Sequence, residues 1–314
     1  MATFDRSNEL TAIGFDKRDE MLYDQVYPNN TFWQRLNKRG RVTEKSHIEH
    51  HILAQVAKPN NMKWLTHGYD ILNTEPDDVA RTFSIQWADA GGTVTVSEKD
   101  LVELGDDGEV VVPFVETKIE QRMMEAVDFI SIALWEDGST PGSFEGLQLG
   151  VDDTTVANDW SGIDRSVVTA LKANVDVATT KYSYSTLLNQ RLNSTFGGYS
   201  PSIYVTTRNL WQVIASMIVP GQEINPSADD LEYGGDLVIV DRTPVIWDDY
   251  VTASHLYGIN EDHLSLHVHN RHNFALDEFI KPGDQQAYTA QLSWFGYIII
   301  RTPRTNFKFT ALAG

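Results

Sequence analysis

Two stretches in the first hundred residues alternate hydrophobic and polar positions with a period of two. Residues 82–87 and 93–96 show this alternation, and an apolar run at 47–56 precedes them. A period of two is typical of half-buried strands. The polar stretch 73–78, which contains a proline, favours a turn. We therefore predict that residues 46–97 form a long two-stranded extended loop, which needs a surface to lie on because an isolated hairpin is only marginally stable in water.

The clearest helical pattern spans residues 113–137, where apolar residues recur every three or four positions. Pro113 suits the first position of a helix, and Gly138 follows its predicted end. At about 1.5 Å per residue, this helix is roughly 37 Å long. Glu116 and Glu120 are like charges four residues apart on its polar side. We expect partners for these charges elsewhere in the fold or on neighbouring chains.

The rest of the chain alternates helix and strand signals. Short apolar runs between turn residues predict strands, and residues 186–196 and 210–217 have helical spacing. The pattern predicts an α+β fold, with a domain boundary near residue 175 and a return of the chain to the first domain near residue 283. Residues 1–45 show little periodicity and are predicted to be an irregular N-terminal arm. A short helix packed on its own domain is the alternative interpretation of this arm.

Charge and composition exclude several classes of protein. The 314 residues contain no cysteine, so disulfides, thiol nucleophiles and cysteine zinc sites are excluded. The formal net charge is −19, which does not favour tight nucleic-acid binding. Residues 61–180 carry 7 basic and 23 acidic side chains, whereas residues 1–60 carry 9 and 8. This asymmetry suggests that the N-terminal region of one subunit lies on the acidic face of another. No apolar run approaches the roughly 18 residues that a membrane span needs.

The common catalytic motifs are absent. The sequence has no phosphate-binding loop, no dinucleotide-binding glycine pattern, no nucleophile elbow and no H-E-x-x-H motif. Histidines form the only tempting chemistry, because His267 and His269 lie on one side of a predicted strand with His272 close by. We treat these three as weak candidates for a metal site and expect polar surface or interface histidines instead. The paired aspartates, such as Asp152 and Asp153, are interpreted as solvated turns.

Three local motifs, taken in order, resemble the Hong Kong 97-type major capsid fold of tailed bacteriophages. The run 91–101 looks like the strand and turn that lead to the long spine helix of that family. The passage 133–147, with Gly138 and then Gly146-Leu147, is similar to the family's helix end and loop. The segment Gly162-Ile163-Asp164-Arg165-Ser166 resembles a sequence common in phage capsid proteins and is the most specific of the three. The resemblance covers roughly residues 90–310.

The resemblance implies a structural shell protein and no enzyme, cofactor or resident metal. It assigns residues 1–45 to the N-terminal arm, 46–97 to the extended loop, 98–174 with 283–314 to a peripheral domain, and 175–282 to an axial domain. The helix 113–137 would be the spine helix. Subunits would form pentamers and hexamers in an icosahedral virion that encloses double-stranded DNA, assembled in the host cytoplasm. The implied partners are other copies of the chain, a separate scaffolding protein, a portal, and packaged DNA without sequence-specific binding; no membrane is involved.

The expected subunit contacts combine aromatic anchors with charges. The aromatic and basic residues of the arm would lie against the acidic surface of an adjacent subunit, and the exposed loop and helix would add further contacts. The candidate interface residues are Phe32, Trp33, Arg35, Lys38, Arg39, Arg41, Trp64, Glu116 and Glu120.

Two alternatives remain open at this stage. An encapsulin-like compartment would have the same fold but a protein cargo. A histidine-dependent metalloenzyme built on residues 255–272 is the alternative from a different class.

Overall fold

The computed structural model describes residues 30–46, 49–66, 77, 79–104, 108–177, 183–217, 238–283 and 285–312. Residues 1–29 of the predicted N-terminal arm, which spans 1–45, therefore lie outside the described residues. The helices are α1 (Thr31–Lys38), α2 (Glu98–Leu104), α3 (Gly108–Trp135), α4 (Leu147–Gly150), α5 (Tyr184–Asn193) and α6 (Arg208–Met217). The strands are β1 (Val42–Lys45), β2 (Glu49–Gln55), β3 (Ala80–Gln86), β4 (Ala88–Ser97), β5 (Asp159–Trp160), β6 (Ile163–Asp164), β7 (Asn174–Val177), β8 (Ile203–Thr206), β9 (Val238–Val240), β10 (Thr243–Trp247), β11 (Leu256–Ile259), β12 (Leu264–His269), β13 (Ala275–Leu276), β14 (Ala287–Ile300) and β15 (Phe307–Thr310).

The long helix α3 confirms the helical prediction but corrects its bounds. It has 28 residues and contains Pro113 in its second turn instead of at its first position. A proline there removes one backbone hydrogen bond and leaves the rest of the ladder intact. The helix ends at Trp135, and Gly146 lies against its last turn. A Cβ at Gly146 would lie 2.3–2.9 Å from the carbonyl oxygens of Ala133, Leu134 and Glu136, so only glycine fits at this contact.

Two sheets carry most of the remaining structure. In the five-stranded sheet the order is β1-β12-β14-β13, and β4 also pairs with β14. In the six-stranded sheet the order is β7-β15-β11-β8-β10-β9. One hydrophobic core joins both sheets to the end of α3, since Trp135, Tyr257 and Leu266 belong to the same buried cluster. A smaller cluster, which includes Ile214 and Phe309, packs α6 against the six-stranded sheet.

The sheet pairing departs from the predicted division of the chain at three places. Strand β12 pairs with β14, so the chain re-enters the five-stranded sheet at Leu264, before the predicted return near residue 283. The resemblance assigns residues 283–314 to the peripheral domain, but strand β15 pairs with β11 and β7 in the six-stranded sheet. The extended loop ends at Gln86 and not at residue 97, because β4 pairs with β14 over ten residues. Local patterns could not reveal these boundaries, since they depend on which distant strand each segment pairs with.

No helix among the described residues is long and apolar enough to cross a membrane.

Candidate subunit interface

The hairpin formed by β2 and β3 is anchored through its paired strands and exposed along its outer part. The strands pair in antiparallel register from Glu49 with Gln86 to Gln55 with Ala80. Midway along the paired strands, Phe83 is 1% exposed and its ring packs edge-on against Trp160, with ring centroids 5.0 Å apart. The predicted two-stranded excursion is therefore confirmed, and its anchor is an aromatic pair.

The outer part of the hairpin, residues 53–66, exposes a set of large apolar side chains. Met62 is 95% exposed, Trp64 99%, Leu53 73% and Leu65 54%. Residues 57–66 of this part form neither helix nor strand. Several highly exposed large apolar side chains within one short segment are typical of a site that another molecule covers.

The outer face of α3 combines exposed apolar side chains with exposed carboxylates. Glu116 and Glu120 are both exposed, as the sequence predicted, and their contacts with a neighbouring subunit remain a prediction. Further along the same helix, Phe129 is 57% exposed. Phe129 lines a groove of about 380 Å³ between α3 and the strands β4 and β14, with Leu292 and Trp294 on its opposite wall.

Helix α1 corrects the prediction that its aromatic residues contact an adjacent subunit. Phe32 is fully buried and Trp33 is 8% exposed, so both belong to the chain's own core. The ring of Phe32 lies 5.0 Å from that of Trp135. The spacing of Phe32, Trp33 and Leu36 marks one apolar helical face, and their burial agrees with the alternative interpretation, a short helix packed on its own domain.

Arg35 is likewise wrong as an interface residue, because it forms a buried ion pair within the chain. Its Nε donates to one carboxylate oxygen of Glu261 at 2.6 Å, and its Nη2 donates to the other oxygen at 3.1 Å. Both side chains are 1% exposed. Glu261 stands in a short 3₁₀ helix between β11 and β12, and Ser202 donates a further hydrogen bond to it at 3.2 Å.

The rest of the basic cluster is exposed or half-buried, and two of its members face carboxylates of the same chain. Arg39 lies 3.3 Å from Glu261 and is 40% exposed. Arg41 pairs with Asp262 and is 29% exposed. Lys38 is exposed. The carboxylates that face Arg39 and Arg41 therefore come from the same chain, although Glu261 is shared with Arg35, and the contact of Lys38, Arg39 and Arg41 with a neighbouring subunit remains a prediction.

Asp248, which the sequence did not single out, caps α1 from another part of the chain. The loop after β10 carries Asp248, and its carboxylate accepts hydrogen bonds from the backbone N–H groups of Phe32 and Tyr250 at 2.9 and 3.0 Å. The first N–H groups of a helix have no partner within the helix, so this carboxylate takes the place of a local cap. Burial raises the pKa of Asp248 to about 6, although the two hydrogen bonds oppose the shift.

Each histidine candidate has a hydrogen-bond partner within the chain, and the burial of His267 corrects the expectation of a surface or interface position for it. His267 is 3% exposed, and its ring nitrogens lie 3.2 Å from the Ser265 hydroxyl and 3.3 Å from the Tyr297 hydroxyl. His272 Nδ1 lies 2.9 Å from the hydroxyl of Ser293. His269 Nδ1 accepts from the backbone N–H of Arg271 at 3.2 Å. Within the described ranges, no group of three or more histidine, aspartate or glutamate side chains is arranged to hold a metal ion.

The capsid-like segment 162–166 is a structural element. Arg165 is fully buried and donates to the carbonyl oxygens of Leu149 and Asp152 at 2.8 and 2.9 Å. Asp164 accepts from the backbone N–H of Ser166 at 2.7 Å and so closes the turn. The motif therefore fastens the loop after α4 to the body of the protein.

Asp152 corrects the interpretation that the paired aspartates are solvated. Its carboxylate is buried and lies 2.7 Å from Nζ of Lys308 in β15. Burial alone would raise the pKa of Asp152, but Lys308 and the backbone N–H groups of Val156 and Thr154 hold that pKa below its usual value. A lysine in the apolar stretch around Phe307 was the one sequence signal for this pair.

Comparisons with solved structures show which fold this is. A chain of the cyanophage A-1(L) capsid asymmetric unit superposes with a TM-score of 0.69 at 14% identity, covering 95% of this chain and 97% of the other. The capsid of a native GTA particle gives 0.62 at 10% identity, covering 95% of both chains. The SrpI encapsulin complex from Synechococcus elongatus PCC 7942 gives 0.60 at 8% identity, covering 99% of this chain and 96% of the other.

Comparisons based on sequence find nothing, since neither a family model nor a curated protein matches the chain. At these identities the structural likeness establishes the fold. The chain therefore has the Hong Kong 97-type capsid fold that the sequence resemblance implied.

Proposed function

We propose that this chain is the major capsid protein of a tailed bacteriophage. Its copies form pentamers and hexamers, and these close into an icosahedral head around double-stranded DNA. The observation that carries the proposal is the exposed apolar outer part of the hairpin, residues 53–66, on a chain with a capsid fold. In a ring of head-to-tail contacts each copy both offers its hairpin and covers that of a neighbour.

The energetics of the hairpin support such an assembly. Burying one large apolar side chain is worth about 1.5–3 kcal/mol. Met62, Trp64 and Leu65 are exposed together, so one neighbour can bury all three in a single contact. Contacts of this size are modest singly, and their number in a closed shell makes the whole stable.

The net charge of the chain indicates how it contacts the packaged DNA. A net charge of −19 supports loose, sequence-independent contact with the packaged DNA, because tight binding would require neutralising many phosphates. A separate scaffolding protein and a portal complete the proposed set of partners. The proposed location is the virion, after assembly in the host cytoplasm, and the proposed role is structural and not enzymatic.

An encapsulin-like compartment is the second candidate, favoured by the likeness to the SrpI encapsulin complex over 99% of this chain. The two functions differ in what the particle contains. Particles from the natural source that hold double-stranded DNA support the capsid, whereas particles that hold one defined protein cargo and no genome support the compartment.

The hairpin contact can be tested by removing its apolar side chains. A Met62→Ser/Trp64→Ser variant should fold as the wild type does, because both side chains are at least 95% exposed, but should fail to form shells. Val167→Ser, at a position that is 77% exposed outside the hairpin, is the matched control and should assemble normally. Circular dichroism checks folding, and sedimentation velocity measures assembly. Normal shell yield from the double variant would count against the proposed role of the hairpin.

A further inference from the structure

A second exposed surface combines two aromatic side chains with arginines. It lies where the turn after α5 meets the 3₁₀ helices at Glu261–His263 and Pro303–Thr305. Phe196 and Tyr199 are each 50% exposed. The guanidinium of Arg304 lies 4.2 Å from the centroid of the Phe196 ring, and the ring of His263 lies 4.3 Å from that of Tyr199. We call the surface formed by Phe196, Tyr199, Arg301 and Arg304 the aromatic–arginine patch.

The turn holds the two aromatic residues side by side before anything binds. Gly197 and Gly198 have φ values of +62° and +87°, which a two-residue turn of type I′ requires. Phe196 and Tyr199 exchange backbone hydrogen bonds across this turn at 2.9 and 3.1 Å. A partner therefore meets an ordered platform and loses little conformational entropy by binding to it.

The patch differs in charge from the rest of the chain. Arg301 and Arg304 are exposed. Burial lowers the pKa of His263, and the nearby positive charges of Arg301 and Arg41 lower it further. Asp262 faces the same place and pairs with Arg41, so an excess of positive charge remains. The chain as a whole has a formal net charge of −19.

We infer that the aromatic–arginine patch is a contact site for the acidic surface of a second copy of this chain. Tyrosine, phenylalanine and arginine are the residues that interface cores favour, and truncating one of them can remove much of the binding energy. Charge complementarity points to a second copy, because residues 61–180 carry 23 acidic and 7 basic side chains. Nucleic acid fits less well, since the two arginines of the patch neutralise few phosphates on a chain that repels a polyanion.

This inference rests on the proposed assembly but uses residues outside the hairpin, so the two can be tested apart. Two variants remove the two components of the patch separately: Phe196→Ser/Tyr199→Ser and Arg301→Glu/Arg304→Glu. Tyr184→Ser/Arg271→Glu is the matched control, because Tyr184 is 50% exposed and Arg271 is exposed elsewhere on the surface. Circular dichroism and thermal melting check that each full-length variant is folded.

The readout is the concentration at which each variant self-associates, followed by sedimentation velocity and electron microscopy at low and high salt. Each patch variant should require at least about tenfold more protein than the wild type, while the control should not change. For the wild type, raising the salt from about 0.05 M to about 0.5 M should weaken assembly, since surface charges are then screened.

The outcomes separate the inference from the proposed function. If both patch variants form shells at the wild-type concentration, the inference is wrong and the capsid proposal stands. If the wild type forms small oligomers but no shells, and the patch variants lose these oligomers, the inference stands and the capsid proposal fails. Patch variants that assemble normally but lose binding to a DNA oligonucleotide would identify nucleic acid as the partner and overturn the inference.

Discussion

Substituting methionine for Arg35 should lower the free energy of unfolding by about 2–4 kcal/mol, because it leaves the buried carboxylate of Glu261 without its main partner. Both side chains are 1% exposed, and two hydrogen bonds join them. Breaking one side of such a buried pair costs about 3–5 kcal/mol. Arg39 at 3.3 Å and Ser202 at 3.2 Å remain beside Glu261 and should reduce the loss somewhat.

The assay is chemical denaturation of the purified chain, followed by tryptophan fluorescence. Lys99→Met is the control, because Lys99 lies 3.4 Å from Glu103 on the surface and is 81% exposed; its loss should cost about 0.5 kcal/mol or less. The Arg35→Met/Glu261→Leu double variant should be more stable than the sum of the single effects, by about 1–3 kcal/mol of coupling. An Arg35→Met chain as stable as Lys99→Met, yet defective in assembly, would refute the internal role of Arg35 and restore the predicted subunit contact.

Two further outcomes follow from the described residues. Burial raises the folded-state pKa of Asp248 to about 6, above an unfolded value near 3.8, so its contribution to stability is fully present below about pH 4 and is lost as the pH rises through 6. Relative to Asp248→Asn, the wild type should therefore lose about 2–3 kcal/mol of unfolding free energy between pH 4 and pH 7. A difference in denaturation midpoint between the two proteins that does not change with pH would contradict this. Gly258→Ala should destabilise the chain by about 1–3 kcal/mol or prevent folding, since its Cβ would lie 2.2 Å from the fully buried ring of Phe307, whereas Gly91→Ala meets nothing closer than 3.9 Å and should melt like the wild type.

Features with a local periodic signal could be predicted from the sequence. Helix α3 and the hairpin of β2 and β3 each repeat their pattern over several turns or residue pairs, so their type was evident. Their ends were less so, because Pro113 stands inside α3 and the ten residues of β4 pair with β14 nearly two hundred positions away. The end of a strand that is set by a distant partner strand has no signal in the local sequence.

The candidate interface was only partly predictable for the same reason. The exposure of Trp64 and Glu116 agrees with a neighbouring contact, which remains a prediction. Arg35 looks like any surface arginine in the sequence, because its partner Glu261 is 226 positions away. The burial of Asp248 and Lys308 could not be predicted for the same reason, since a buried charge is recognisable only once the fold has brought its partner to it.

Electron microscopy of the purified wild-type chain, across a range of protein and salt concentrations, tests the central claim most directly. The account predicts closed shells of uniform size built from many identical copies. A chain that stays monomeric and forms no shell under any of these conditions would contradict it.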